Sequence, residues 1–276
     1  MRITREPLYE DAPKGRLEAL RRRVVDYFTR VGGTVRLTVE SLACLPGMFI
    51  NRDGRAAFVE QLYVTGIRTL PVISVVGIFT GMILGLQVGL ILARFNQEAY
   101  LGAAVMLTLI REMAPFVTGI CLSACVGSAM AAELGTMTVN DEVAALEIMS
   151  ISPVRFLVAP RIGALLVMSP LLSLYACVLG VMGGGLVGYT QLNVAFAQYM
   201  SSAISFAVEK DLFVGLLKAT VFGVVIGAVS CHEGFATRLG AVGVGRATQR
   251  CVIVSFLLIL MFGYMITRAF YFEFSL

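Results

Sequence analysis

Five apolar runs separated by polar stretches organise the 276-residue chain. They extend roughly from Thr69 to Ala93, Leu101 to Ala132, Ile162 to Thr190, Leu212 to Cys231 and Val252 to Phe270. Each reaches or approaches the ~20 residues an α-helix needs to cross a bilayer. The second and third are long enough to predict tilt or breaks. Lipid permits only helices and closed barrels, because nothing else satisfies the backbone there. The runs lack the ten-residue alternation of barrel strands. The pattern therefore predicts an all-α polytopic membrane protein with five transmembrane helices over residues 61–276. Residues 1–60 form a separate N-terminal arm.

In that arm Leu17, Leu20, Val24, Tyr27 and Val31 recur at helical spacing, with Arg16, Arg21, Arg22, Arg23 and Arg30 on the other faces. This predicts an amphipathic helix lying in the headgroup layer. A solvated, partner-facing helix fits the same pattern. Asn51 to Arg55 reads as a turn. The charged arm precedes the first apolar run, the reverse of the order in a secretory leader.

Between the second and third runs lies a polar insert, AAELGTMTVNDEVAALEIMSISPVRFLVAPR, from Ala131 to Arg161. Thr138 stands three residues before Asp141, as in a capping box that opens a helix. Val139, Val143 and Leu146 make one apolar face; Asp141, Glu142 and Glu147 favour another. Ser150 to Pro153 ends the helix, since the residue before proline avoids helical geometry. Pro153 then opens the next helix, capped by Ser152. Bundle connections usually run 2–8 residues. A longer, structured insert with acidic and apolar faces is built to dock another protein.

Composition agrees with the runs. Hydrophobic residues make up 58% and charged residues 14% of the chain, too few charges to cover a soluble globule. The basic residues set an orientation. Most lie in the N-terminal arm up to and including Arg68; Arg155 and Arg161 flank the insert, and Arg238, Arg246 and Arg250 lie between runs four and five. The opposite connections carry Arg94 and Lys210 beside Glu98, Glu209 and Asp211. The N-terminus, the insert and residues 232–249 are thus expected in the cytoplasm, and the C-terminus outside. Gly77, Gly81, Gly85 and Gly89 in run one, and Gly180, Gly184 and Gly188 in run three, repeat every four residues and permit close helix approach. The six cysteines are scattered, mostly within apolar runs, and read as small packing residues.

Arg111 and Glu112 are the charges hardest to explain by packing. They stand in LGAAVMLTLIREMAPFVTG, where charge is costly unless paired or facing water. Neighbouring residues point in different directions around a helix, so the two need not pair with each other. A structural ion pair between helices and a polar lining of a substrate path both fit. Lys218 either partners one of them or reaches for the interface. Pro115 predicts a kink just beyond. None of the three lysines follows a glycine, which excludes a Walker A loop. His232 is the only histidine, which excludes a two-histidine metal site.

REMAPFVTG, GSAMAAELGTMTVNDEVAALEIMSISPVRFLVAPR, GAVGVGRATQRCVIV and GIFTGMILGLQ together resemble the MlaE/YrbE family of ABC transporter permeases, over about Gln61 to Thr267. The resemblance implies a homodimeric permease in the inner membrane, with one interfacial helix and five spans per chain. It implies separate ABC ATPase subunits that bind the ATP, a periplasmic MCE-domain protein and membrane lipid as cargo. No cofactor, nucleic acid or catalytic role of the chain's own follows from it. The insert corresponds to the region that sits on the ATPase, with Glu133, Asp141, Glu142, Glu147 and Met149 at matching positions. Arg111, Glu112, Leu86, Gln87 and Arg246 match positions along the lipid path. One departure is visible: Cys125 stands where many relatives have an arginine. An ion-driven secondary transporter and an intramembrane lipid-modifying enzyme are the competing classes. Five spans without an inverted repeat disfavour the first; the lack of a histidine-rich or paired-aspartate site disfavours the second.

Overall fold

The computed structural model describes residues 32–45, 52–238 and 240–272, and among them every regular element is helical. The amphipathic segment expected over Arg16 to Val31 lies outside the described residues. Helix α1 covers 32–45. Helix α2 (Arg52–Gly66) continues through a 3-10 turn (Ile67–Thr69) into α3 (Leu70–Arg94). Residues 52–55, read from sequence as part of a turn, are helical instead. Tertiary packing decides this: Phe58 of α2 and Leu45 of α1 close over Gly163, where a Cβ would meet both. Glycine and aspartate near the start of α2 are local turn signals that this burial outweighs.

The second span is broken twice. After the turn Glu98–Tyr100 come α4 (Leu101–Thr108), a π-turn at Leu109–Met113, α5 (Ala114–Leu122), a second π-turn at Ser123–Gly127 and α6 (Ser128–Val139). The breaks expected from its length are thus π-bulges. Helix α7 (Glu142–Ile148) forms the insert, and a third π-turn (Val154–Val158) leads into α8 (Ala159–Gln191). Helix α9 (Phe196–Ser205) precedes α10 (Glu209–Phe235) and α11 (Gly240–Tyr271). Among the described residues five continuous segments are long and apolar enough to cross a membrane: Gly54–Arg94, Glu98–Val139, Val154–Gln191, Glu209–Phe235 and Gly240–Tyr271. The chain is a multi-pass membrane protein.

Helices α8 and α10 form the centre. In the core, Leu165, Leu172 and Ala176 of α8 meet Phe222 and Ile226 of α10, with Ile73, Leu122, Val126 and Ile259 from the surrounding spans. The first and fifth spans are peripheral: their most apolar stretches are 22% and 17% buried, against 56% in α10. Helix α3 docks on α8 through its glycines. A Cβ on Gly81 would overlap the Gly180 carbonyl, and one on Gly85 would press on the Gly184 backbone. Backbone meets backbone along this seam, as small residues allow.

Helix α9 closes the end of the bundle away from the insert. Tyr199 is its anchor, fully buried, with its hydroxyl donating to the Val181 carbonyl at 3.0 Å. Gly185 of α8 makes room for the ring, which a Cβ there would touch. Burial pushes the Tyr199 hydroxyl well above its ordinary pKa.

The insert differs from its sequence reading at both ends. Thr138 is no cap. It lies inside α6 and donates to the Leu134 carbonyl at 2.7 Å. Helix α7 starts instead from Asp141 in the left-handed region, φ 59°, with no side-chain cap bond. Aspartate tolerates that conformation better than most residues. Two residues, Asn140 and Asp141, complete the reversal, which leaves Thr138 no place outside a helix. At the other end Ser150 is left-handed, φ 61°. Ile151 N–H donates to the Leu146 carbonyl and Ser150 N–H to that of Glu147, the Schellman arrangement. This ends α7 before Pro153 acts. Pro153 opens the next helix as expected, but no Ser152 side-chain bond caps it.

Candidate functional site

A cluster of charges lies near the α9 end of the bundle, where the second span, α10 and α11 meet. It originates at Pro115. Proline has no N–H, so the Arg111 carbonyl loses its i+4 donor. The helix widens there into the π-turn Leu109–Met113, with Ala114 N–H returning to the Leu109 carbonyl. π-Turns recur at functional sites. Lys218 Nζ supplies the missing donor to the Arg111 carbonyl at 2.7 Å. It also donates to Glu112 Oε1 at 2.6 Å and to Thr267 Oγ1 at 2.7 Å. The three hydrogens of the ammonium thus have three acceptors, and the side chain is 1% exposed. Sequence left open whether Lys218 pairs or reaches for the interface; it pairs.

Arg111 turns the other way. Its Nη2 donates to Asp211 Oδ2 at 2.8 Å, and Tyr271 donates its hydroxyl to Asp211 Oδ1 at 2.6 Å. The guanidinium lies 4.8 Å from the centre of the Tyr271 ring, within cation–π range. Asp211 sits in the first turn of α10, where the helix dipole favours a carboxylate. Arg111 and Glu112 therefore bond to two different partners on α10, as their adjacency implied. Both are partly exposed, at 40% and 42% of the side chain, while Asp211 and Lys218 are buried. The buried pair holds the accessible pair in place.

Sequence reasoning missed Asp211, Thr267 and Tyr271 as members of this cluster. Asp211 reads as an ordinary loop charge, and a threonine or tyrosine near the end of a span carries no signal by itself. The other lipid-path residues are not gathered here. Leu86 is half-buried and Gln87 exposed on α3. Arg246 is exposed near the start of α11. It stands 21 residues before Thr267, about 30 Å away along the helix axis. The cluster and Arg246 are separated by the depth of the bundle.

At the insert end, Glu133 of α6 accepts from Arg161 Nη2 of α8 at 2.8 Å. Val143 of α7 belongs to a buried cluster with Leu134, Val158, Ile162 and Cys231, and half-buried Leu146 packs against that cluster. Apart from these and half-buried Ala144, the surface of α7 is exposed. Asp141, Glu142 and Glu147 lie on it, with Met149 just beyond its end. Ile148 and Met149 are 84% and 61% exposed, a bare apolar edge beside the acids. Sequence named Met149 but not Ile148. Cys125, the departure from the family pattern, is exposed in the second π-turn of span two. Among the described residues no group of histidine, cysteine, aspartate and glutamate is arranged to hold a metal ion.

A sequence model of one family, described as Permease MlaE, matches residues 58–269. The chain is 32% identical over 254 residues to the intermembrane phospholipid transport system permease protein MlaE of Haemophilus influenzae, covering 91% of this chain and 95% of that one. It is 39% identical over 213 residues to a probable ABC transporter permease protein of Rickettsia prowazekii, covering 77% and 82% respectively. A probable ABC transporter permease protein of Synechocystis is 31% identical over 217 residues, covering 79% and 82%.

Proposed function

Because the chain belongs to the MlaE permease family, we propose that it is the membrane subunit of an ABC-type transporter that moves phospholipid. It works as a homodimer on separate ATPase subunits and passes lipid to or from a periplasmic MCE-domain protein. ATP is bound and hydrolysed by the partner; this chain contributes no catalytic group and no cofactor of its own. The protein sits in the inner membrane, with its N-terminus and insert in the cytoplasm and its C-terminus outside. The excess of arginine at the insert end supports that orientation.

The observation that carries this reading is the division of labour between the two ends. One presents a short helix, bare on its acidic face and along its Ile148–Met149 edge, suited to seat a partner. Glu133, Asp141, Glu142, Glu147 and Met149 belong to this coupling region. The other end presents a guanidinium and a carboxylate, half accessible and held from behind. These suit a zwitterionic or anionic headgroup, while the apolar span surfaces, with Leu86 and Gln87 at their rim, suit acyl chains. Arg246 lies at the cytoplasmic end of the path, where an anionic headgroup would meet it.

The test is a mild-detergent pull-down of the tagged chain from its native membrane, with an ATPase assay. An ATPase and an MCE-domain protein are expected to come with it, and reversal of Asp141 and Glu142 to lysine is expected to release the ATPase. A chain that purifies alone would overturn the reading and turn attention to an ion-driven mechanism through Arg111, Glu112 and Lys218.

A further inference from the structure

We infer that Arg161 is a positioning residue: its ion pair with Glu133 clamps the two helices that carry α7, so that a load on α7 moves spans two and three as one body. This rests on the reading of α7 as the ATPase contact. Arg161 and Glu133 are 28 residues apart and stand on the two legs of the hairpin whose tip is α7. Arg161 is 4% exposed. Its Nη2 holds Glu133 at 2.8 Å, its Nη1 approaches the Leu157 carbonyl at 3.5 Å, and its Nε is buried without a partner.

Stability alone gives no reason for this arrangement. Burying an arginine is costly, and replacing a buried ion pair with apolar side chains is often neutral or stabilising. An incompletely bonded guanidinium is a poor way to fill a core. It is a good way to tie two helices at one point. Val143, the one buried side chain of α7, belongs to the same buried cluster as Leu134 and Ile162, each one residue along from Glu133 and Arg161. Force on α7 therefore arrives at the level of the pair. With the pair intact, α6 and α8 answer together; without it, α7 slides against one leg while the other stays. Glu133 is 60% exposed at its side chain, so the tie is open to solvent on one side and its loss leaves the apolar core intact.

The experiment uses the full complex with its ATPase in proteoliposomes and reads lipid moved per ATP hydrolysed. R161Q is expected to keep the ATPase bound and to lower that ratio about tenfold, the size of an ordinary coupling energy. E133Q removes the same tie from the exposed side and guards against a folding defect in R161Q. The exchange E133R with R161E is expected to regain most of the ratio, which ties the effect to the ion pair itself; a melt in detergent unchanged in E133Q separates lost coupling from lost stability. A parental ratio in E133Q, or an exchange no better than the single variants, would overturn the clamp. Reversal of Asp141 and Glu142 is the separate control. If that variant holds the ATPase as tightly as the parent, the coupling reading itself falls and takes the clamp with it. If it releases the ATPase while E133Q keeps the parental ratio, only the clamp falls.

Discussion

The first and fifth spans are both peripheral, yet they are fastened in opposite ways. Helix α3 is attached by its missing side chains: Gly81 and Gly85 let its backbone rest on that of α8. Helix α11 is attached near its end by charge and hydroxyl groups, with Thr267 on Lys218 and Tyr271 on Asp211. A glycine seam has one geometry and no intermediate state, because any separation loses contacts along its whole length. A polar anchor is local. Hydrogen bonds at one end of a helix fix that end. Along its middle α11 is held by other means, through fully buried Cys251 and Ile259, so its polar anchor adds to apolar packing where the glycine seam of α3 is packing alone.

Lys218→Met tests the anchor most severely. It strips the counter-charge from Glu112 and the donor from the Arg111 carbonyl. With Glu112 half-exposed, the loss of its buried partner and of the donor to the Arg111 carbonyl costs about 2–4 kcal/mol, or roughly 8 °C in a circular-dichroism melt in detergent. An unchanged melt would show that the cluster does not hold the bundle. Next comes the seam. Gly81→Leu is expected to cost about 1–3 kcal/mol through overpacking against α8, and cysteine pairs placed across α3 and α8 should then cross-link more slowly. Thr267→Val keeps the shape of the anchor but removes one acceptor from Lys218, a loss of about 1–2 kcal/mol. Its signature is faster amide exchange confined to the last turns of α11; exchange that rises equally in α3 would erase the distinction between the two spans. The smallest effect is of opposite sign. Gly245 of α11 has open space where a Cβ would go, so Gly245→Ala is expected to stabilise by up to about 1 kcal/mol. Glycine is then indispensable at position 81 and dispensable at position 245.

The spans were legible because hydropathy is a property of consecutive residues. Arg111 and Glu112 were legible for the same reason, as charges in an apolar run. Their partners were not. Asp211 and Lys218 lie about a hundred residues away, and nothing in a sequence sets the register of one span against another. Thr138 shows a different failure. Its spacing to Asp141 fits a capping box, but spacing cannot tell whether the preceding helix has ended, and here it has not. Ser150 is a third case: α7 ends at the segment 150–153 named from sequence, but a left-handed serine ends it and not the residue before the proline. Residues 52–55 read as a turn but are helical, in a helix that packs through Phe58 over Gly163, more than a hundred positions away.

The π-turns of span two bear on what kinds of change the chain can absorb. Each accommodates about one residue more than a regular helix would over the same rise. Removing a single residue from 109–113 would let the segment relax to ordinary α-helix while the turns on either side keep nearly their present azimuth. What would be lost is local: the bond from Ala114 N–H to the Leu109 carbonyl, and the opened Arg111 carbonyl that Lys218 reaches. The same deletion in regular helix would turn one side by about 100° against the other. Shortening the bulge is therefore expected to spare the packing of the span and to disturb the charge cluster alone.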